Sequence, residues 1–118
     1  MPYTNNQVQL IGNAGARPEL HILTDETPVT RFRLYLNISG INKGRDSFQL
    51  VAWGRIAEHL TAQVRRGDRL LVQGQLRNRR FQYEGTTHLR TEIHISAFFI
   101  LSQPREVAYT NPNSQANE

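Results

Sequence analysis

An alternation of apolar and polar residues over positions 29–38 constrains the fold of this chain more than any other feature of its sequence. In VTRFRLYLNI, one face carries Thr30, Phe32, Leu34, Leu36 and Ile38, and the other carries Arg31, Arg33, Tyr35 and Asn37. A repeat of two residues is typical of a β-strand that packs one face on the core and leaves the other in solvent. We therefore expect a half-buried strand here.

Four more strands are predicted from shorter signals. Residues 8–13 form the first, which residues 19–23 could continue after a glycine-containing bend, and TDETP at 24–28 is a turn. SGINKGRD at 39–46 is a hairpin loop before a third strand at 47–53, and YEGT joins a fourth strand at 69–81 to a fifth in THLRTEIHISAFFIL. The side chains expected to face the core in the last three strands are Phe48, Leu50, Ala52, Leu70, Val72, Gly74, Leu76, Leu89, Thr91, Ile93 and Ile95. Those expected to face outward are Ser47, Gln49, Val51, Trp53, Gln73, Gln75, Arg77, Arg79 and Phe81.

The period changes after Gly54. Ile56, Leu60 and Val64 recur every four residues, and RRGD then supplies a glycine stop, which predicts one short helix. A single helix between the third and fourth of five strands is the layout of an OB-fold, a small, partly open barrel that binds oligonucleotides or oligosaccharides. We predict an all-β fold of this type, with another small barrel or an α+β domain as the alternative.

The outward residues of three strands combine positive charge with aromatic rings. Thirteen of the fourteen basic residues are arginine, whose planar guanidinium grips phosphate at two points and stacks on rings. Single-stranded nucleic acid needs both properties, because cations follow its phosphates and flat side chains stack on its unpaired bases. The predicted binding residues are Arg31, Arg33, Tyr35, Gln49, Trp53, Arg77, Arg79 and Phe81. Two of the rings have an alternative role: Trp53 in packing over a barrel end, and Tyr35 in covering a neighbouring strand or a subunit contact.

Other classes of function are disfavoured. The chain has no cysteine, so it can form neither a disulfide nor a thiolate zinc site. Its four histidines are scattered, with only His88 and His94 on the same predicted strand, and no carboxylate cluster accompanies them. We expect no metal, no cofactor and no catalysis. The start of the chain lacks the pattern of a signal peptide, and no apolar run is long enough to span a membrane. The expected location is the cytoplasm, in association with the nucleoid.

Five blocks, in order, resemble the bacterial single-stranded DNA-binding proteins: NQVQLIGNAGARPEL, TRFRLYLNI, FQLVAWGRIAEHL, RRGDRLLVQGQLRNRRF and LRTEIHI. They cover about residues 6–101. The resemblance implies an OB-fold subunit of a homotetramer that wraps single-stranded DNA without much sequence preference, in replication, recombination and repair. It places Trp53 and Phe81 on stacking positions, Arg77 and Arg79 on the basic run, and Arg31 and Arg33 on the binding strand.

The chain departs from the family pattern at two aromatic positions and at its end. The family's other stacking tryptophans would fall near Gly40 and on Ser47, so fewer rings are available and affinity should depend more on salt. Residues 1–103 are predicted to form the binding domain and residues 104–118 a disordered tail. The tail ends in NPNSQANE, with one acid and no aromatic, so we do not expect it to recruit repair and replication proteins as an acidic tip would. A primosome-type OB protein and an RNA-binding OB module are the alternatives.

Overall fold

The computed structural model describes residues 5–38 and 44–102. In chain order its elements are β1 (Val8–Ala14), β2 (His21–Ile22), β3 (Pro28–Ile38), β4 (Gly44–Trp53), α1 (Gly54–Gln63), β5 (Arg69–Tyr83) and β6 (Thr86–Ser102). The strands form one sheet in the order β1-β5-β6-β4-β3-β2, and an additional pairing of β1 with β3 closes it into a barrel. The predicted all-β barrel, with one helix between two of its strands, is confirmed.

Closure depends on the end of β1. Most of β1 pairs antiparallel with β5, whereas Asn13 and Ala14 pair with Tyr35 and Leu34 of β3. Gly12 permits this crossing, because a Cβ there would collide with the carbonyl oxygen of Tyr35. The barrel therefore consists of five strands, as predicted.

The core lies inside the barrel and under the helix. Alternate residues of β3, β4, β5 and β6 face inward, and α1 packs against β3 and β4. Among the described residues, the largest fully buried apolar side chains include Leu34, Leu50, Leu60, Leu70 and Ile93. Of the predicted apolar positions, Leu60 and the following Val64 are buried, and Ile56 is partly buried against the core. Ala57, which the period of four did not include, is also buried.

Several expectations about the strands are wrong. Residues 19–23 do not continue β1, because His21 and Ile22 form a separate strand that pairs with β3 at the opposite end of the sheet. Strand β4 begins at Gly44 rather than at residue 47, so part of the predicted loop is strand. The rest of that loop and the predicted tail at 104–118 lie outside the described residues.

Burial also differs from the simple alternation. Leu76, Leu89 and Thr91 were expected in the core but are exposed, with 44% of Leu76 and 60% of Leu89 accessible. The reason is that β5 and β6, with 15 and 17 residues, extend beyond the barrel as a hairpin, so both faces of the extension meet solvent. Phe48 is 37% exposed for a similar reason, since it lies toward the start of the long β3–β4 pair. Val51 shows the opposite deviation: it points outward and is nevertheless fully buried.

The hairpin turn has the expected chemistry. Tyr83 and Thr86 are the last paired residues, so Glu84 and Gly85 form a two-residue turn. Both have positive φ, 51° and 76° respectively, as the turn type favoured in β-hairpins requires. The glycine of YEGT therefore marks the turn that joins β5 to β6.

Candidate nucleic-acid interface

The register of β3 and β4 brings four of the predicted residues together. Arg33 lies opposite Gln49 and Tyr35 opposite Ser47, while Arg31 lies opposite Val51. Residues directly opposite each other in an antiparallel pair share one face of the sheet. The outward residues of these two strands therefore form one side of a surface.

The same face continues across β6 onto β5. Val51 pairs with His94 of β6 in parallel, and from there Gln75 lies opposite His94, Arg77 opposite Glu92, Arg79 opposite Arg90 and Phe81 opposite His88. Arg77, Arg79 and Phe81 are thus on the same continuous face as Arg31 and Arg33. The structure brings all eight predicted binding residues onto one face, where they lie on β3, β4 and β5 with β6 between β4 and β5. We call the outward surface of these four strands the basic face.

Arg33 is held in place by neutral groups. Its Nε donates a hydrogen bond to the hydroxyl of Ser47 at 3.1 Å, and its two terminal nitrogens donate to Gln49 Oε1 at 3.2 Å and to the carbonyl of Ser47 at 3.4 Å. The predicted Gln49 therefore contributes by orienting a guanidinium. The family resemblance expects a tryptophan at position 47. Ser47 provides no stacking ring there and instead accepts a hydrogen bond from Arg33.

The Tyr35 ring is half-buried and in contact with neighbouring groups. It occupies the space that a Cβ on Gly15 would need, and the guanidinium of Arg45 lies 4.7 Å from its centroid. Arg45 belongs to the basic face as well, because it pairs with Asn37 two residues beyond Tyr35. Tyr35 covers the neighbouring backbone, as the alternative role suggested, and supports a cation at the edge of the face.

Trp53 ends β4 and remains accessible. Its ring is 38% exposed and makes an edge contact with His94, with centroids 4.4 Å apart and planes at 74°. The chain turns away at once, because Gly54 has a φ of 68° and begins α1. His94 thus contacts part of the indole, and the exposed part of the indole is accessible to a base.

Phe81 lies within a cluster on the hairpin. The His88 ring is near-parallel to it, with centroids 5.4 Å apart and an interplanar angle of 22°, and the guanidinium groups of Arg90 and Arg79 lie 5.1 and 5.6 Å from its centroid. Tyr83 meets His88 edge-on at 5.9 Å. We call these five residues the hairpin cluster: Arg79, Phe81, Tyr83, His88 and Arg90.

A buried carboxylate lies at the centre of the basic face. Glu92 is only 2% exposed, and its Oε2 accepts a 2.6 Å charged hydrogen bond from Arg31 Nη1. Arg79 Nε lies 3.6 Å from the same oxygen, and His94 Nε2 lies 3.6 Å from Oε1. Burial lowers the pKa of His94, although the neighbouring Glu92 acts in the opposite direction.

Sequence reasoning missed Glu92, His94, His88 and Arg90. All four lie on β6, whose predicted strand was described only by the residues expected to face the core. Positions 88, 90, 92 and 94 share one parity, opposite to the core positions 93 and 95, so the same alternation that selected the outward residues of β3 would have selected them.

The comparisons with known proteins agree with this architecture. The model of the single-strand binding protein family matches residues 5–101. The chain belongs to this family. Single-stranded DNA-binding protein 2 of Streptococcus agalactiae serotype III is 34% identical over 112 residues, which are 92% of this chain and 86% of that protein. The single-stranded DNA-binding protein of Thermosynechococcus vestitus is 31% identical over 111 residues, 92% of this chain and 90% of that protein.

A solved structure supports the same assignment. The Plasmodium falciparum SSB, in a complex with ssDNA, is similar with a TM-score of 0.77 and 25% identity, over 86% of this chain and 99% of that one. The predicted family and its OB-fold are therefore confirmed. The roles of individual residues on the basic face remain predictions.

In the ranges 5–38 and 44–102, no three His, Asp or Glu side chains are grouped so that they could hold a metal ion. Within the same part of the chain, no helix has the length and apolar character needed to cross a membrane.

Proposed function

We propose that this protein binds and protects single-stranded DNA with little dependence on base sequence, and that it does so without catalysis. The observation that carries the proposal is the continuous basic face of β3, β4, β6 and β5 in a chain of the single-strand binding protein family. Arginines along this face neutralise phosphates and release counterions. Trp53 and Phe81, at separate places on it, stack on bases, and every base has a face for stacking.

Fewer rings give the binding a stronger electrostatic character. Ser47 stands in a position where the family resemblance expects a tryptophan, and it holds Arg33 instead. Each lost stack removes about 1–3 kcal/mol that does not depend on salt. We therefore expect an affinity that falls steeply as salt is added, with arginine–phosphate contacts supplying much of the binding free energy.

We further propose that the subunits assemble, most simply as a homotetramer. Ile11, Leu71 and Phe99 are paired side by side across β1, β5 and β6 on the outer surface, where Ile11 is 40% and Phe99 55% exposed. An apolar stripe of this kind on a small domain is typical of a protein contact. Among the described residues, the edge of β1 that faces away from β5 pairs only at Asn13 and Ala14, which leaves residues 8–12 available to a second copy.

Tryptophan fluorescence tests the proposed function directly, because Trp53 is the only tryptophan. Titration with oligo-dT over a series of salt concentrations reports ring contact through quenching and phosphate contact through the slope of log K against log salt. We expect quenching and a steep negative slope. Unchanged fluorescence together with a slope near zero would contradict the proposal. Competition between poly-dT and poly-U at fixed salt then distinguishes DNA from RNA, since we expect poly-dT to bind more tightly.

Location and cellular role follow from the ligand. A protein of this kind acts where DNA strands are separated, in replication, recombination and repair, and therefore in the cytoplasm at the nucleoid. Incubation with labelled single-stranded DNA and divalent cations is expected to leave the strand intact, and shortening of the strand would argue against a purely binding role.

A further inference from the structure

We propose that Glu92 is an internal counter-charge in the basic face, which keeps Arg31 from contributing a full positive charge to phosphate binding. The inference rests on the proposed binding of single-stranded DNA. A carboxylate in the middle of a surface that binds a polyanion opposes the function of that surface, unless its role is to moderate the binding.

The geometry supports this assignment. Glu92 is nearly inaccessible to water, and a buried carboxylate is tolerated only when cations or hydrogen-bond donors compensate it. Its closest cation is Arg31 at 2.6 Å, and Arg79 is a more distant partner at 3.6 Å. Because water cannot replace these partners, Glu92 keeps Arg31 in a charge-neutral pair. A phosphate that approaches Arg31 must share it with this carboxylate.

Arg33 provides an internal comparison. It lies two residues from Arg31, on the same strand and face, but its partners Ser47 and Gln49 are neutral. Arg33 therefore presents a whole unit of charge to the ligand, and Arg31 does not. The two arginines look equivalent in the sequence, and the charge of the side chain that each contacts decides the difference.

The consequence is weaker and more easily reversed binding. Each phosphate neutralised on a single strand contributes about 0.7 to the slope of log K against log salt. With Glu92 in place, the Arg31 site forgoes one such contact per subunit. Removing the charge of Glu92 is expected to add this phosphate contact at Arg31. Binding should then be tighter at low salt, and the strand should be released more slowly.

The test compares wild type, Glu92→Gln, Arg31→Gln/Glu92→Gln and Glu58→Gln by titration with oligo-dT between 0.05 and 0.2 M salt. Glu92→Gln keeps the shape and an acceptor oxygen for Arg31 but removes the charge. We expect its salt slope to be steeper by about 0.7 per engaged subunit, so that for each engaged subunit its gain in affinity is about 2.6-fold larger at the low salt than at the high salt. The double variant Arg31→Gln/Glu92→Gln removes both charges of the neutral pair. We therefore expect its salt slope to equal that of wild type.

Glu58→Gln is the matched control, because Glu58 is an exposed acid on α1 and its loss changes the net charge by the same amount. We expect its slope to change much less than that of Glu92→Gln. An unchanged slope in Glu92→Gln, or an equal change in Glu58→Gln, would overturn the inference. If Glu92→Gln does not fold, the double variant still decides, since a slope flatter by about 0.7 would mean that Arg31 contacts phosphate in the wild type.

These outcomes separate the inference from the proposed function. If wild type does not bind oligo-dT, the proposed function fails. If all variants bind with the slope of wild type, DNA binding stands and only the role of Glu92 is wrong.

Discussion

Trp53 and Phe81 differ in how much ring each offers to a base. Trp53 is 38% exposed and makes a T-shaped contact with the His94 ring, whereas Phe81 is half-buried beside His88 and two arginines. The neighbours of Phe81 hold the ring in place, which lowers the entropy cost of stacking, and they bring cations to the phosphates beside a stacked base.

Replacing both rings by alanine tests the stacking assignment. Each stack is worth about 1–3 kcal/mol, so Trp53→Ala/Phe81→Ala is expected to weaken binding by about 2–6 kcal/mol per engaged subunit with little change in the salt slope. Anisotropy of labelled oligo-dT measures both quantities. His21→Ala is the control, since it removes an exposed ring from β2, away from the basic face. A loss below about 0.5 kcal/mol in a folded double variant would exclude stacking on these rings.

The lowered pKa of His94 predicts the sign of a pH dependence of stability. Burial lowers its pKa below the ordinary 6.5, against the opposing effect of Glu92, while Arg31 and Arg77 also disfavour the proton. Well above pH 6.5 the histidine is neutral in both states and contributes nothing. As the pH falls below 6.5, the unfolded chain binds a proton more readily than the folded one, so the free energy of unfolding decreases.

Urea unfolding at pH 7.5 and 5.5 measures this effect. We expect His94→Gln to lose less stability between these two pH values than wild type does, because the group that titrates differently in the two states is gone. His21→Gln, an exposed histidine on β2, controls for the loss of a histidine as such. An equal loss of stability in wild type and His94→Gln would show that His94 is not the source.

At the scale of the elements, the alternation in the sequence predicted strands but not where the barrel ends. The parity assigned to β3 and β5 is correct, yet Leu76 and Leu89 are exposed, because the β5–β6 hairpin extends beyond the core. Nothing local in the sequence shows where the core ends along these strands. The prediction for Val51 is wrong in the opposite sense: an exposed side chain was expected, but Val51 is buried. Burial of an outward residue depends on neighbours from other strands. The residues of the basic face on β3, β4 and β5 were predictable from parity, whereas the ion pair of Glu92 with Arg31 required the register of β6 against β4.

A bulge between β5 and β6 is another feature that the sequence did not reveal. The register shifts between Gln73 and Gly74, where Ser96 is passed over and its hydroxyl donates to the carbonyl of Gln73. As a result the inward positions of β6 change from odd numbers, such as Ile95, to even numbers, such as Phe98. The bulge allows one long strand to present His94 on the basic face and Phe99 on the apolar stripe.

Gly74→Ala tests the close packing of strands beside this bulge. A Cβ at Gly74 would collide with the backbone carbonyl of His94, and backbone of β6 cannot move aside as a flexible side chain could. We expect a loss of about 1–3 kcal/mol in the free energy of unfolding, measured with urea. Gly44→Ala is the matched control, because the nearest atom to a Cβ there is a side-chain carbon 3.9 Å away, and its effect is expected to stay within about 0.5 kcal/mol. Equal effects of the two substitutions would contradict the packing argument.

At the scale of the whole molecule, the surfaces proposed for binding and for assembly lie on different parts of one barrel. The basic face covers β3, β4, β6 and the hairpin, whereas the apolar stripe lies on β1, β5 and the later part of β6. A flexible strand bound to several barrels gains affinity because, after the first contact, each further contact is intramolecular. Assembly is therefore expected to set the affinity for long DNA much more than for short DNA.

Phe99→Asp separates the two surfaces. It places a charge in the apolar stripe, which is exposed in the single barrel but would be desolvated in a subunit contact. Light scattering after gel filtration is expected to show four chains for wild type and fewer for the variant. Binding to oligo-dT that fits one barrel is expected to change less than about twofold, whereas binding to long poly-dT weakens by about 100-fold or more. Leu89→Asp controls for a charge at an exposed apolar residue of β6 outside the stripe. A Phe99→Asp protein with the mass of wild type would place the subunit contact elsewhere, and equal losses on short and long DNA would mean that the stripe belongs to the binding surface itself.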